Sequence, residues 1–170
     1  MFYRSFIDTI PPSGVTCLPL TLPTAYTVQC IFEPGTRQGN DNAIIFSNLH
    51  TTLGYQGLSL SLCDSSGSQV IFSYGAGEHL IISGPIAIHP HAANYFAATI
   101  ADTKITVYLN GKKVWVNTDK GRIEPSDRPV MIGNGRAANT HFNGHVYEVA
   151  ITKEIIDSVA IGRTAEAMLK

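Results

Sequence analysis

The sequence predicts an all-β protein, an antiparallel β-sandwich with one short helix at its C-terminus. Three observations carry this. Apolar and polar residues alternate in short runs broken by turn residues, which is the pattern of half-buried antiparallel strands. Fifteen glycines and nine prolines in 170 residues suit many turns and few helices. Lys104–Asn117 reads as a β-hairpin around Asn110-Gly111, a pair favoured in two-residue type I′ turns because both central positions need positive φ.

Taken in order, the expected strands are Phe2–Asp8, Val15–Leu20, Tyr26–Glu33, Ala43–Leu49, Gly57–Cys63, Gln69–Tyr74, His79–Ser83, Asn94–Ala101, Lys104–Asn110, Lys112–Thr118, Pro129–Gly133 and His145–Ile151. In Leu58-Ser-Leu-Ser-Leu62 the leucines point inward and Ser59 and Ser61 outward. Ser65–Ser68 turns the chain toward Val70–Phe72, and Ala101-Asp102-Thr103 leads into the hairpin. The Asn-Gly turn sets Val107 against Val114 and Ile105 against Val116 as one apolar face. Thr106, Tyr108, Lys113 and Trp115 then share the other. After Lys153 the alternation gives way to helical spacing at Ile155, Ile156, Val159 and Ala160. Thr152 is the expected N-cap, and Gly162 is expected to interrupt the helix. Pro34–Asn42, His50–Gln56, Gly84–Ala93, Asp119–Arg128 and Asn134–Thr140 read as loops. No repeat or linker-like stretch divides the chain, so residues 1–170 are expected to form one domain.

Hydrophobic residues make up 44% and charged residues only 15%, against roughly 25% in average proteins. That deficit suits a surface rich in small polar residues or covered by a partner. With a net charge of −1 and no Lys/Arg run, neither a nucleic-acid footprint nor a polybasic membrane anchor is expected. No stretch reaches the ~18 apolar residues of a membrane span. Met1–Val15 lacks the apolar core of a signal peptide, so synthesis in a cytoplasm is the expectation. Cys17, Cys30 and Cys63 are too few and too uneven for a disulfide framework and are expected as reduced, largely buried thiols. One bridge plus a free thiol is the alternative.

Five stretches resemble, in order, the laminin-G-like branch of the concanavalin A-like lectin/glucanase superfamily. They are Tyr26-Thr-Val-Gln-Cys-Ile-Phe-Glu-Pro34, Asn94-Tyr-Phe-Ala-Ala-Thr-Ile-Ala-Asp102, the Lys104–Lys112 hairpin with its Asn-Gly-Lys, Met131-Ile-Gly-Asn134 with Phe142-Asn-Gly-His-Val-Tyr-Glu-Val149, and the closing helical segment. The resemblance implies a jelly-roll sandwich. It leaves the ligand open, since the same fold carries lectins, protein-binding modules, glycan-cleaving enzymes and virion proteins. The glucanase branch implies a Glu-x-Asp-x-x-Glu strand, and no glutamate here has it. Glu33, Glu78, Glu124, Glu148, Glu154 and Glu166 all lack Asp two positions later. A non-catalytic member is therefore expected.

Candidate site residues follow from chemistry. Trp115 and Tyr108, if they share an outward face, make a stacking platform for sugar rings or an apolar partner. The competing and preferred expectation is that the helix or a loop covers that strand pair, or that the inward face is the opposite one. Asn134 and Arg136 on one loop, and His141 at its end, are candidate ligand or partner contacts. Gly133-Asn134-Gly135-Arg136 lacks the rest of a phosphate loop. His89-Pro90-His91 has metal-like spacing but lies in a proline-containing loop with no Cys or carboxylate nearby. No metal or other cofactor is expected; Asp41, between Asn40 and Asn42, is the one calcium candidate, and an Asx turn is the preferred reading.

The leading expectation is a non-catalytic assembly module, a virion structural or capsid decoration protein of a phage. It would be made in a host cytoplasm, displayed on the particle, and partnered by copies of itself or a shell protein. The alternative is a carbohydrate-binding module or lectin, secreted or part of a longer extracellular chain, with glycans as partners. A glycan-active enzyme comes third.

Overall fold

The computed structural model describes residues 3–7, 15–19, 24–36, 38, 42–52, 54–118, 121–134 and 140–169, with 3–7 and 15–19 as backbone. The strands are β1 (Tyr3–Ile7), β2 (Val15–Pro19), β3 (Ala25–Pro34), β4 (Ile44–Ser47), β5 (Leu58–Leu62), β6 (Gln69–Ala76), β7 (His79–Ile82), β8 (Ile86–Ala87), β9 (Asn94–Ala101), β10 (Lys104–Leu109), β11 (Lys112–Asn117), β12 (Pro129–Ile132) and β13 (Gly144–Thr152). The helix α1 (Ser158–Met168) follows. Each expected run forms a strand. The addition is β8, two residues inside the expected loop 84–93, which pairs with β6.

The strands form two antiparallel sheets. One has six strands in the order β1-β13-β3-β9-β10-β11. The other has seven, running β2-β12-β4-β5-β6-β7 with β8 on β6. Such an arrangement must bury one face of each sheet against the other. Val28, Cys30, Phe32, Phe96, Ala98, Ile105 and Val107 from the first sheet meet Phe46, Leu60, Leu62, Val70, Phe72 and Tyr74 from the second. Phe96 is the keystone between layers. Its ring lies 6.1 Å from that of Phe46 and 5.6 Å from that of Phe72. In β5 Leu58, Leu60 and Leu62 lie in the core as expected, while Ser59, expected outward, is buried as well.

The hairpin keeps its turn but not its expected faces. Asn110 and Gly111 both have positive φ, as a type I′ turn needs. Leu109 stands against Lys112 and Tyr108 against Lys113, as the turn dictates. The register then shifts, and Val107 stands against Trp115 instead of Val114. Val114 is the extra residue of a β-bulge, which reverses the rest of β11. Trp115 turns inward and packs on the core. Val114 and Val116 face out, 41% and 42% exposed. The reversal seats the partly buried indole against the inter-sheet core. The reversal also lets the buried Asn117 amide donate to the Tyr74 hydroxyl at 2.6 Å.

The helix covers the outer face of the six-stranded sheet. Ile161 and Ala165 pack on Ile31, Tyr95, Ala97 and Tyr108, a second cluster separate from the inter-sheet core. Its N-cap is Asp157, not Thr152; the Asp157 carboxylate accepts from the backbone N–H groups of Val159 and Ala160. Thr152 is instead the last residue of β13. Gly162 does not break the helix. The hairpin turn lies directly on it, so that a side chain added at Gly111 would meet Gly162 Cα and Ala165 Cβ at 3.2 Å.

Candidate functional site

The sequence-derived candidates do not converge. Tyr108 is on the outer face of β10, buried beneath α1, whereas Trp115 turns into the inter-sheet core. They sit on opposite faces and form no shared platform. The bulge decides this, because a one-residue slip exchanges the faces of a strand. Asn134 accepts a hydrogen bond from the Thr140 hydroxyl at 3.0 Å. His141 forms a bridge with Ile44, and its Nδ1 is buried without a hydrogen bond among the described residues. Arg136 and the calcium candidate Asp41 lie outside the described residues. His89 and His91 are exposed on their loop, and no His/Cys/Asp/Glu group able to hold a metal occurs among the described residues.

The two described thiols are poor nucleophiles. Cys30 and Cys63 are both free. Burial, with the Glu148 charge adding to it, pushes the Cys30 thiol well up, and burial with Asp64 raises that of Cys63. The side chain of Cys17 lies outside the described residues.

A cavity of about 240 Å³ opens at the other end of the sandwich from Asn134 and His141. The two ends are separated by the length of β3, ten residues or about 30 Å. Tyr26 and Ile100, directly opposite on β3 and β9, line the cavity together with Thr24, Asp102, Arg122, Ile123 and Pro125. Asp102 has φ +54° in the turn after β9, a conformation Asp tolerates better than most side chains. Its backbone N–H donates to the Thr24 carbonyl at 3.0 Å, which ties the turn to the entry of β3.

The remaining wall comes from residues 121–125, stitched to the seven-stranded sheet. The Glu124 N–H donates to the Gly75 carbonyl at 2.9 Å, and the Gly57 N–H donates to the Glu124 carbonyl at 2.8 Å. Gly75 has no side chain because the backbone of Tyr55 and Gln56 crosses directly over it. This close packing holds Ile123 and Pro125 across from Tyr26.

The cavity joins an aliphatic and aromatic interior to a polar rim. Asp102 makes no side-chain hydrogen bond or ion pair among the described residues. Arg122 pairs with Glu124 at 3.9 Å, and both side chains are well exposed, so the pair is screened and loose. Tyr26 is 2% exposed, yet its hydroxyl has no hydrogen-bond partner among the described residues. Burial raises its pKa, so it stays a neutral donor. None of the lining residues was singled out in sequence as a site. The available signals were the Asp-containing turn and the charged 119–128 loop, and neither says that the two meet.

A family model for the concanavalin A-like lectin/glucanases superfamily matches residues 12–159. The chain belongs to this superfamily. No curated protein sequence matches it. Among solved structures, it is similar to domain 4 of AbnA, a GH43 extracellular arabinanase from Geobacillus stearothermophilus, in complex with arabinotriose. The TM-score is 0.72 at 13% identity, over 96% of this chain and 81% of that one. It is also similar to the CBM40 of the Ruminococcus gnavus IT-sialidase bound to α2,3 sialyllactose, with TM-score 0.68, 11% identity, and 96% and 97% of the two chains covered. A heptameric SAP-like pentraxin from Limulus polyphemus gives TM-score 0.63 at 17% identity over 96% and 81%. At these identities the likeness establishes the jelly-roll sandwich. Among the described residues, no helix is long and apolar enough to cross a membrane.

Proposed function

We propose that this concanavalin-like domain is a non-catalytic carbohydrate-binding module and that the cavity between Tyr26, Asp102 and Arg122 is its sugar site. The observation that carries the reading is the composition of that cavity. Sugars present apolar C–H faces and a periphery of hydroxyls, so they need apolar walls and a few fixed polar groups. Tyr26, Ile123 and Pro125 supply the walls, and Asp102 and Arg122 supply an acceptor and a donor at the rim. At about 240 Å³ the cavity falls just below the ~300–1,000 Å³ of drug-sized sites, which suits a single sugar ring.

The solved relatives with bound arabinotriose and sialyllactose support this reading. They do not support the virion role expected from sequence, and carbohydrate binding takes its place. Asp102 is the one carboxylate among the lining residues, whereas the usual glycosidase mechanism needs two across the bond. That favours binding without cleavage.

The test is a glycan array followed by titration calorimetry of any responsive glycan. Wild type is expected to bind a defined subset, and Asp102→Asn and Arg122→Ala are each expected to weaken binding at least tenfold. Retained affinity in both variants overturns the site, and an array without any response overturns the function.

A further inference from the structure

We infer that Asn110 is a modification site: a deamidating asparagine that the folded hairpin holds closed, and whose conversion releases a clasp between three segments. Asn110 precedes Gly111, which has no side chain to shield its backbone nitrogen. In such a pair the Gly111 nitrogen attacks the Asn110 side-chain carbonyl carbon and gives up its proton as the new N–C bond forms. The Cγ–Nδ2 bond breaks and ammonia departs. Water then opens the cyclic imide at either carbonyl. One product is aspartate. The other is isoaspartate, with the main chain rerouted through the side chain.

Attack requires the amide carbon to swing onto the following nitrogen. Here the amide is fastened at both ends. Its oxygen accepts from the Tyr95 N–H at 2.8 Å, and its nitrogen donates to Asn94 Oδ1 at 3.2 Å. The Asn110 backbone N–H also donates to the Tyr95 carbonyl at 2.7 Å. Gly111 is held from the other side by α1, where an added Cβ would lie 3.2 Å from Gly162 Cα. The ring therefore closes only when the turn opens locally.

The product does not fit the same place. Asn94 is fully buried, and its amide nitrogen already donates to the His89 and Ala92 carbonyls, each at 2.8 Å. Both of its N–H groups are thus committed, and it faces residue 110 with an acceptor. A carboxylate at 110 sets oxygen against oxygen there. Isoaspartate adds a main-chain atom to the turn and lifts Gly111 from the helix. Either product undoes the clasp between the 84–93 loop, β9 and the hairpin turn.

The experiment incubates the full chain in mildly alkaline buffer, folded and in unfolding urea, and follows it by tryptic peptide mass spectrometry. Cleavage after Lys104 and Lys112 yields Ile105–Lys112, in which Asn110 is the sole amide side chain. Deamidation of that peptide is expected to run at least about tenfold slower in the folded chain. Asn110→Asp still accepts from Tyr95 and tolerates the positive φ, so it should fold, with a lower urea midpoint than wild type. The gap should narrow in acid, where the protonated carboxyl can again donate to Asn94. Equal rates in folded and unfolded chain overturn the inference. So does an Asn110→Asp midpoint equal to wild type, or a gap that does not change with pH.

Discussion

Val107 stands directly opposite Trp115, and both point into the inter-sheet core. This pairing gives β11 an indole facing inward and two valines facing water. Trp115→Ala should therefore lower stability by about 2 kcal/mol, below the full range for a buried aromatic because the ring is only half-buried. Val114→Thr should stay within about 0.5 kcal/mol. Urea denaturation of the two variants checks this. A larger loss at Val114 than at Trp115 would restore the register expected from the turn alone.

Gly75→Ala links packing to the cavity. The new methyl would collide with the backbone of Tyr55 and Gln56. The Gly57 and Glu124 hydrogen bonds beside it hold the wall formed by residues 121–125. Stability is expected to fall by about 2 kcal/mol or more, and sugar affinity is expected to fall in protein that is still folded. Thermal melting alongside calorimetric titration measures both, and full affinity at reduced stability would show that this wall is not part of the site.

Removing the helix cap with Asp157→Ala leaves two backbone N–H groups without their side-chain acceptor. The expected cost is about 1 kcal/mol. Because α1 covers Tyr95 and Tyr108, fraying should also speed amide exchange at the start of the helix. Hydrogen-exchange mass spectrometry over 157–161 reports it. Unchanged exchange would mean that packing of Ile161 alone holds the first turn.

Acid stability has an identifiable contributor in the turn between β5 and β6. Burial pushes the Asp64 carboxyl up. Hydrogen bonds from the Ser66 and Ser68 hydroxyls and from the backbone N–H groups of Gln69 and Ser68 outweigh it, and the pKa ends below its ordinary 3.8. A carboxylate lowered on folding stabilises the protein above its unfolded pKa, and that contribution fades as pH falls through the lower folded value. Denaturation midpoints for wild type and Asp64→Asn should therefore differ at pH 6 and draw together below about pH 4. A constant gap across that range would assign the role of Asp64 to packing and not to charge.

The strands were legible because alternation and turns are local signals. Leu58–Leu62 shows its buried face in its own letters, and Asn110-Gly111 fixes its own turn. The face of β11 was not legible, because the bulge at Val114 is chosen by what the opposite sheet offers, namely room for an indole and the Tyr74 hydroxyl for Asn117. The helix cap was misplaced for a related reason. Thr152 and Asp157 are both good caps, and only the pairing of β13 with β3, which carries Thr152 as far as Thr27, shows that the strand uses the first.

By itself the sequence determined the two-layer antiparallel architecture, the hairpin turn, the closing helix and the superfamily, because each depends on short-range patterning or on motifs in chain order. Tertiary structure decided where ligand chemistry sits. Tyr26, Asp102 and Arg122 come from an inward strand position, a turn and a loop, up to 96 positions apart when Arg122 is counted from Tyr26. None has a telling neighbour in the chain. They meet because β3 and β9 pair at one end of the sandwich and a loop tied to Gly75 closes over them.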